Sequence, residues 1–347
     1  MKVAINGFGR IGRAFLRAVL QNKKTKENIK IEAINVGPKK SSPIDLLFKY
    51  DSVMPEFTGN VEIKNDFLHV DGQKIKLFFE ADPTNLPWKK LGIDWIIEAS
   101  GKFTTKELAA KHLAAGAKKV LITAPSDDAD ISIVPGVNYE SYNHKKHSII
   151  SLGSCTTNAF APLIKVINEN FGITSGLMTT IHAYTNDQVL LDVEHKDPRR
   201  ARAAAINIVP TKTGASKVIT QIFPELKGKI EATAIRVPVP VVSLIDFVFV
   251  SEKVLTIEKI NKSFEKAATG KLKSILQYTN LPLVSSDFIG NTHSSIFDSL
   301  LTQQTGNVGK VFAWYDNEFG YSCRLKDFLL HNLIKKLNFW RAHSSVG

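Results

Sequence analysis

Apolar and polar residues alternate over the first 150 positions in blocks that predict strands and helices by turns. Apolar runs lie at 3–5, 29–35, 61–70, 74–79, 93–100, 118–125 and 147–152. Apolar residues at helical spacing follow several of these runs, at 11–19, 43–50 and 105–115. This alternation predicts an α/β fold with a mainly parallel, doubly wound sheet of the Rossmann type, which binds its ligand at the carboxyl ends of the strands.

The pattern changes beyond residue 155. A long helix is predicted over Thr157–Asn170, and β-rich runs follow at 176–185, 229–252 and 309–316. These runs predict an α+β arrangement with a mainly antiparallel sheet, and a last amphipathic helix is expected over Tyr321–Leu337.

A glycine-rich turn follows the first strand in the segment "INGFGRIGR". In a strand–turn–helix unit, Gly7 would permit the turn, Gly9 would admit a pyrophosphate, and Gly12 would let the helix pack on the strand. The first helical turn, near Arg10 and Ile11, would present its N–H groups and the positive end of the helix dipole to the phosphates. A glycine turn without a ligand is the alternative, but the flanking strand and helix favour dinucleotide binding. Two hydroxyl side chains are expected at the same edge because they follow other strands: Ser100 and Thr123.

Composition and charge exclude several classes of protein. The 347 residues are 44% hydrophobic and 22% charged, as in ordinary globular proteins, and the most apolar stretch, 235–250, contains two prolines and an aspartate, so no membrane span is predicted. The first strand starts at once, which leaves no room for a signal peptide and favours a cytoplasmic location. Two cysteines without a C-x-x-C pair predict neither a disulfide framework nor a metal site. The net charge of +12 comes mostly from scattered lysines, so no dedicated nucleic-acid site is expected.

The segment "SLGSCTTN" places Cys155 where a strand ends and a helix begins. Backbone N–H groups at that position favour a thiolate and provide an oxyanion site. His182 ends the next strand, so it can lie close enough to act as a base. A thiolate that attacks an aldehyde gives a thiohemiacetal, and loss of a hydride to nicotinamide leaves a thioester. A buried structural cysteine and a packed histidine are the alternative, but a dinucleotide fold favours the reactive pair.

Hydroxyl and guanidinium groups cluster in the second half, at Thr185, Arg200, Thr213 beside Gly214, and Arg236. Because arginine binds phosphate through a planar, permanently charged fork, this set indicates phosphorylated substrates. Arg199 and Arg202 are expected to serve partly as ion-pair partners, and the sequence does not sort the three neighbouring arginines by role.

The chain resembles the phosphorylating glyceraldehyde-3-phosphate dehydrogenases over essentially its whole length. The matching motifs are "INGFGRIGR", "LLFKYDSV", "GAKKVLITAPS", "SCTTN", "HAYTNDQ", "HKDPRRARAAAINIVPTKTGASK" and "WYDNEFGYS". The resemblance implies a cofactor domain at 1–154, completed by a C-terminal helix at 318–338, and a catalytic domain at 155–317. It also implies oxidation of triose phosphate with inorganic phosphate and NAD or NADP, in glycolysis or gluconeogenesis.

The resemblance also implies roles for individual residues. Cys155 would be the acylated nucleophile and His182 its base. The substrate phosphate and the attacking inorganic phosphate would be bound by Ser154, Thr156, Thr185, Arg200, Thr213, Gly214 and Arg236. The cofactor would be held by Arg10, Ile11, Thr123 and Asn317, with Asn317 on the nicotinamide amide. The polar, aperiodic segment 186–207 resembles the S-shaped loop that lines cofactor sites across the subunit interface of a homotetramer.

This sequence departs from the family pattern at several positions. Leu152 and Gly153 stand where Asn and Ala are usual, and Ala159 replaces a second cysteine. Phe319 stands for a usual Trp. Ala81 stands where an Arg is common, which puts one adenine-side contact in doubt.

The change with the largest consequence is Val36, where the family shows an Asp. An acid at that place accepts hydrogen bonds from the adenosine ribose and repels a 2′-phosphate. Lys39 and Lys40 follow closely and could offset a phosphate charge, whereas Glu194 in the S-shaped loop would disfavour it. On balance the sequence predicts that NADP is accepted alongside NAD.

Two other functions compete with this interpretation. Erythrose-4-phosphate dehydrogenase shares the fold and cysteine chemistry, but "TGASK" and "HAYTNDQ" fit the triose enzyme better. The chain could also act chiefly as an RNA-binding or redox-signalling protein on the same fold, although the set of Cys155, His182 and Arg236 favours catalysis.

Overall fold

The computed structural model describes residues 1–38 and 43–344, with side chains described as far as residue 334. The chain divides into two compact units. Unit 1 comprises Met1–Ser132, Glu140–Leu152 and the residues from Ser322 onward, and unit 2 comprises Ile133–Tyr139 and Gly153–Tyr321.

Unit 1 alternates strands and helices. Its strands are β1 (Lys2–Asn6), β2 (Lys30–Asn35), β3 (Val61–Lys64), β4 (Phe67–Val70), β5 (Gln73–Phe78), β6 (Trp95–Glu98), β7 (Lys119–Ile122), β8 (Ile131–Ser132) and β9 (Ile149–Ser151). Its helices are α1 (Arg10–Leu20), α2 (Lys23–Asn28), α3 (Ile44–Lys49), α4 (Trp88–Leu91) and α5 (Lys106–Ala114).

Within the described residues these strands form one sheet in the order β3-β4-β5-β2-β1-β6-β7-β9-β8. Every pairing from β5 to β8 is parallel, and β3 and β4 add an antiparallel edge. Successive crossovers run in opposite directions from β1, which makes the sheet doubly wound and puts the switch point between β1 and β6. A core of Ala4, Ala33, Trp88, Ile96 and Val120 packs inside this unit.

Unit 2 has a long helix followed by β-rich segments. Its elements are α6 (Cys155–Phe171), β10 (Ser175–Ala183), β11 (Val209–Lys212), α7 (Ala215–Ile222), β12 (Ile230–Val237), β13 (Ser243–Val250), α8 (Ile257–Thr269), β14 (Leu276–Thr279), β15 (Ser295–Thr305) and β16 (Val308–Tyr315). Helix α9 (Phe319–Ser344) begins at the end of this unit, and its residues from Ser322 belong to unit 1.

The second sheet has the order β11-β12-β10-β13-β16-β15-β14 among the described residues. Four of its pairings are antiparallel, while β10–β12 and β14–β15 are parallel. In β13 buried and half-buried residues alternate strictly, as expected for a strand with one face on the core. The predicted fold class is therefore confirmed: a Rossmann-type sheet and a second, mainly antiparallel α+β sheet.

Two helix boundaries differ from the sequence prediction. Helix α6 begins at Cys155, where the segment "SLGSCTTN" placed it, and two residues before the Thr157 start given by the apolar pattern, because the side chain of Ser154 accepts a hydrogen bond from Thr157 N and caps the helix. Helix α9 extends to Ser344, past the end at Leu337 that the pattern predicts and the end at residue 338 that the resemblance implies. No helix in the described part of the chain combines the length and apolar character that a transmembrane span requires.

Candidate active site

Cys155 is the first residue of helix α6. Ser154 ends the preceding extended segment, and its Oγ accepts from Thr157 N at 3.0 Å while its carbonyl accepts from Asn158 Nδ2 at 2.9 Å. Gly153 precedes the cap with φ +64°, a conformation that glycine adopts without strain. This turn fixes a half-buried thiol at the positive end of a 17-residue helix.

The structure brings Cys155 and His182 together. Cys155 Sγ lies 3.5 Å from His182 Nε2, and His182 occupies the end of strand β10. In the parallel register of β10 and β12, His182 is opposite Arg236, which places the guanidinium beside the imidazole. Helix N-terminus, strand end and cross-strand partner thus converge on one thiol, as required for a nucleophile with a base.

His182 Nδ1 lies between an acceptor and a donor. It is 2.6 Å from Ala183 O and 2.7 Å from Arg236 Nη1, and Arg236 Nη1 also donates to Ala183 O at 2.9 Å. A proton on Nδ1 would be donated to Ala183 O, whereas a lone pair there would accept from the guanidinium, which only donates. In the tautomer with the proton on Nδ1, the lone pair of Nε2 faces the thiol. Burial, together with the Arg236 charge, lowers the pKa of His182 to about 3, so the ring is neutral and able to accept a proton.

Two opposing effects act on the thiol. Burial raises the pKa of Cys155, and the nearby positive charge of Arg236 and the hydrogen bonds from Thr156 counteract that rise. Arg236 therefore favours the thiolate and disfavours the imidazolium. This arrangement favours loss of the Cys155 proton at the moment when the sulfur attacks.

A buried tyrosine, which the sequence analysis did not identify as part of the site, joins its elements. The hydroxyl of Tyr315 lies 2.9 Å from Thr156 Oγ1 and 2.7 Å from Thr180 Oγ1, and its ring meets the His182 ring edge to face at 5.9 Å. Tyr315 stands at the end of β16, inside the motif "WYDNEFGYS". Its position at a strand end inside that motif is the signal that could have identified it.

The candidate phosphate residues fall into two groups. Arg236 is half-buried, and its Nε is buried without a hydrogen-bond partner. Arg200, by contrast, pairs with Asp187, contacts Asp197 at 3.7 Å and donates from Nε to Thr211 Oγ1 at 2.9 Å. The positive charge of Arg200 also contributes to lowering the pKa of His182.

The remaining candidates lie in turns around these strands. Thr185 accepts from Gln188 N at 2.8 Å through its carbonyl, just after β10. Thr213 Oγ1 accepts from Ala215 N at 3.3 Å, and Gly214 precedes helix α7 with open space where a Cβ would stand. Arg202 pairs with Asp192, and both side chains are exposed. Arg202 is therefore part of a surface ion pair and differs in this from Arg200.

Asn317 lies at the end of a hydrogen-bond chain in unit 2. Ser243 Oγ accepts from Ala183 N at 3.1 Å and donates to Asn317 Oδ1 at 3.3 Å, and Asn317 is buried. Ala183, which follows His182, is thus linked through Ser243 to Asn317. Its predicted contact with the nicotinamide amide remains a prediction.

The glycine turn of unit 1 has the geometry that a bound pyrophosphate needs. Gly7 has φ +93°, and a Cβ there would approach Ser100 N within 2.4 Å. A Cβ on Gly12 would lie 2.3 Å from Gly7 O, so this glycine lets the helix pack. Gly9 is different, because a Cβ would meet nothing within 4 Å. The open space lies at the start of α1, which has no acidic residue in its first turn, and so these residues fit a dinucleotide phosphate.

The other candidate cofactor residues lie near the same strand ends. Thr123 donates from both N and Oγ1 to Glu98 O, at 3.1 and 3.0 Å, and Ser100 donates to the Glu98 carboxylate. Arg10 forms a two-point ion pair with Asp51 at 3.1 and 3.2 Å. Ile11 follows it in the first turn of α1.

No acid lies at the position after β2 where a ribose-binding carboxylate is expected. Val36 is half-buried there, and its N–H donates to Phe78 O at 2.9 Å. Glu32 is held within β2 by Lys30 and Lys2, at 2.9 and 3.5 Å. Glu194 is exposed in the loop after β10, and Lys39 and Lys40 lie outside the described residues.

Comparison with known families matches both halves of the chain. Residues 154–317 match the family model "Glyceraldehyde 3-phosphate dehydrogenase, C-terminal domain", and residues 1–106 match the NAD binding domain of the same family.

Full-length relatives carry the same name. The chain is 48% identical over 338 residues to glyceraldehyde-3-phosphate dehydrogenase of Priestia megaterium and 49% identical over 338 residues to that of Geobacillus stearothermophilus, covering 97% of this chain and 99% of each relative. It is 52% identical over 330 residues to glyceraldehyde-3-phosphate dehydrogenase 2 of a Nostoc species, covering 94% of this chain and 97% of the relative.

Proposed function

Because the chain belongs to the glyceraldehyde 3-phosphate dehydrogenase family, we propose that it oxidises glyceraldehyde 3-phosphate with inorganic phosphate to 1,3-bisphosphoglycerate. Family membership makes it an NAD-dependent oxidoreductase, and the match to the NAD binding domain supports a nicotinamide dinucleotide as its cofactor. The observation that carries the proposal is the 3.5 Å contact between the Cys155 thiol and Nε2 of His182.

In the proposed reaction Cys155 Sγ forms a bond with the aldehyde carbon, and His182 Nε2 takes the thiol proton. The N-terminus of α6 and the Arg236 charge stabilise the negative charge that develops on sulfur and on the aldehyde oxygen. When bound, the cofactor supplies a hydride acceptor. Oxidation of the adduct leaves a thioester on Cys155, and attack by phosphate releases the acyl phosphate and the thiolate.

Phosphate recognition is assigned first to Arg236. Its buried Nε lacks a partner, so it retains hydrogen-bonding capacity toward an oxyanion. Ser154, Thr156, Thr185, Thr213 and Gly214 are proposed to complete the two anion sites. Arg200 is proposed to act there as well, and phosphate would then compete with Asp187 for its guanidinium.

We propose that NADP is used alongside NAD. The support is the apolar side chain of Val36 where a carboxylate would repel the 2′-phosphate, and the engagement of Glu32 with two lysines. Steady-state kinetics with both cofactors provide the test. A kcat/KM for NADP more than about a thousandfold below that for NAD, or about 4 kcal/mol, would contradict dual use.

The family also suggests that the chain assembles as a homotetramer. Apolar side chains stand exposed on the loop after β10 and at its end, including Leu190, Leu191, Val193, Ile206 and Ile208. Patches of this kind mark contact surfaces. Light scattering of the purified protein is expected to give four times the chain mass, and a monomer would contradict the proposal.

The Cys155→Ser variant tests the proposed chemistry. Serine lacks a nucleophile of comparable strength near neutral pH, so oxidation of glyceraldehyde 3-phosphate is expected to fall below detection. Mass spectrometry of the wild type, quenched in the absence of phosphate, is expected to show an acylated Cys155. Comparable turnover of the two proteins would refute the proposal, and faster turnover of erythrose 4-phosphate would reassign the substrate.

A further inference from the structure

A buried network of polar side chains crosses the carboxyl ends of the parallel strands in unit 1. Its centre is Glu98 at the end of β6, which is 2% exposed. Asn6 at the end of β1 donates to Glu98 Oε2 at 2.6 Å, and Asn35 at the end of β2 donates to Asn6 Oδ1 at 2.7 Å. We call the set Asn35, Asn6, Glu98, Ser100 and His112 the Glu98 belt.

The carboxylate of Glu98 receives four hydrogen bonds. Besides Asn6, the donors are His112 Nε2 at 2.9 Å, Ser100 N at 2.8 Å and Ser100 Oγ at 2.5 Å. In the part of the chain described, His112 is the sole basic side chain paired with it. The acceptor-only carboxylate form of Glu98 accepts all four hydrogen bonds at once.

Trp88 fixes the proton on His112. The indole Nε1, which only donates, points to His112 Nδ1 at 3.1 Å, so Nδ1 must present its lone pair and the proton must reside on Nε2. The imidazole is buried and directs this proton at Glu98. Trp88 and His112 thus hold the carboxylate in one orientation.

The Glu98 belt contacts the glycine turn on two sides. On one side the Gly7 backbone packs against Ser100 so closely that a Cβ would approach Ser100 N within 2.4 Å. On the other side Gly7 N donates to Asn35 O at 2.8 Å. The two residues that contact Gly7 are therefore both held by Glu98: Ser100 directly, and Asn35 through Asn6.

We propose that Glu98, oriented by His112, is a positioning residue for the dinucleotide: it holds the glycine turn in the shape that binds the cofactor. The inference rests on the proposed function, because the ligand is the nicotinamide dinucleotide. Glu98 acts through Ser100, Asn6 and Gly7 and needs no contact of its own with the cofactor. It belongs to unit 1, whereas Cys155 and His182 belong to unit 2, so its loss should affect cofactor affinity far more than the chemical step.

The test uses Glu98→Gln in the full-length protein, with NAD+ binding measured by calorimetry. The glutamine amide has one oxygen and one NH2 group where the carboxylate has two oxygens, so in either orientation at least one charge-assisted hydrogen bond is lost. The Kd for NAD+ is therefore expected to rise about tenfold or more. The kcat at saturating NAD+ and the KM for glyceraldehyde 3-phosphate are expected to stay within about twofold of wild type. His112→Phe, which removes one donor of four, is expected to raise the Kd about threefold.

Asp130→Asn is the matched control. Asp130 also holds backbone N–H groups of this sheet, Ser148 and Ile149 at 2.7 and 2.9 Å, but at the amino end of β9. It should lower the thermal midpoint and leave the Kd for NAD+ within about twofold. The proposal is overturned if both folded Glu98 and His112 variants bind NAD+ like wild type, or if Asp130→Asn weakens binding equally. A wild type that binds neither NAD+ nor NADP+ would instead overturn the proposed function.

Discussion

The two polar clusters of this protein differ in how fully their hydrogen bonds are satisfied. In unit 1 the Glu98 carboxylate receives four donors and its partners are themselves bonded. In unit 2 the buried Nε of Arg236 has no partner, and the half-buried Cys155 thiol lies 3.5 Å from Nε2 of His182. A network whose hydrogen bonds are all made holds a ligand-binding surface rigid. Hydrogen-bonding groups that lack a partner remain available to a substrate that changes charge during the reaction.

The glycine-rich turn of unit 1 and the turn at Gly214 in unit 2 show the same contrast. Gly7 and Gly12 are enclosed by backbone, so they serve the packing of unit 1, while Gly9 borders open space. In unit 2, Gly214 borders open space beside Thr213. Gly9 and Gly214 thus both leave room beside residues that are proposed to bind anions.

The largest expected effect that probes this contrast comes from His182→Asn. Asparagine keeps a polar group but cannot take the thiol proton, so kcat is expected to fall by about 10²- to 10⁴-fold, the range for a lost general base. Single-turnover kinetics of acylation measure the step directly. A fall of less than about tenfold would mean that Cys155 does not need this base.

Arg236→Ala is expected to have the next largest effect. It removes a charge-assisted contact worth about 1.5–3 kcal/mol, so kcat/KM for glyceraldehyde 3-phosphate should fall about 10- to 100-fold. Unphosphorylated glyceraldehyde should be affected less. Because the Arg236 charge opposes the rise in the Cys155 pKa, the pH profile of thiol alkylation should also move to higher pH in the variant.

Arg202→Ala is the control for this variant. Arg202 is 64% exposed and pairs with Asp192, so its removal should change kcat/KM less than about twofold. Equal losses on phosphorylated and unphosphorylated aldehyde in Arg236→Ala would contradict the phosphate role.

The glycine turn offers a smaller effect that separates binding from packing. Gly9 has φ −72° and free space, so Gly9→Ala should keep stability within about 0.5 kcal/mol yet weaken NAD+ binding about tenfold. Gly12→Ala should destabilise the protein by about 1–3 kcal/mol, because its methyl group would meet Gly7 O. Urea unfolding and NAD+ titration of both variants distinguish the roles. Equal stability loss in the two would contradict the assignment.

Sequence patterns predicted the fold well where local signals are strong. The alternation of apolar runs gave the parallel sheet, and the β-rich runs gave the second sheet, because hydrophobic periodicity reflects which face is buried. The apolar pattern missed the start of α6 by two residues, since the capping by Ser154 depends on a side-chain geometry that the pattern does not encode. Helices α7 and α8 were not predicted.

The candidate site was predictable only in part. Cys155 and His182 stand at ends of sequential elements, so their proximity could be inferred. Their contacts with Arg236 and Tyr315 depend on the β10–β12 register and on the distant strand β16, and neither follows from local pattern. Of the Glu98 belt only Ser100 was predicted, because Glu98 and His112 lie outside the quoted motifs, and the motif that contains Asn6 carries no signal for a partner that is distant in sequence.

The smallest effect concerns pH and the buried neutral ring of His182. Its pKa is about 3 in the folded protein, lowered by burial and then by Arg236, against about 6.5 when unfolded. Between these values the unfolded state binds the extra proton, so the stability from this group is complete above pH 6.5 and is lost as pH falls toward 3. From pH 6.5 to 5.5 wild type should therefore lose about 1 kcal/mol more than His182→Asn, as measured by urea midpoints at both pH values. His144→Asn, at an exposed histidine, is the control and should follow wild type. If His182→Asn lost stability as steeply as wild type over this interval, His182 would contribute nothing to the pH dependence of stability there. Folding would then not lower the pKa of this ring, and the contrast between the neutral reactive centre of unit 2 and the fully hydrogen-bonded Glu98 of unit 1 would not hold.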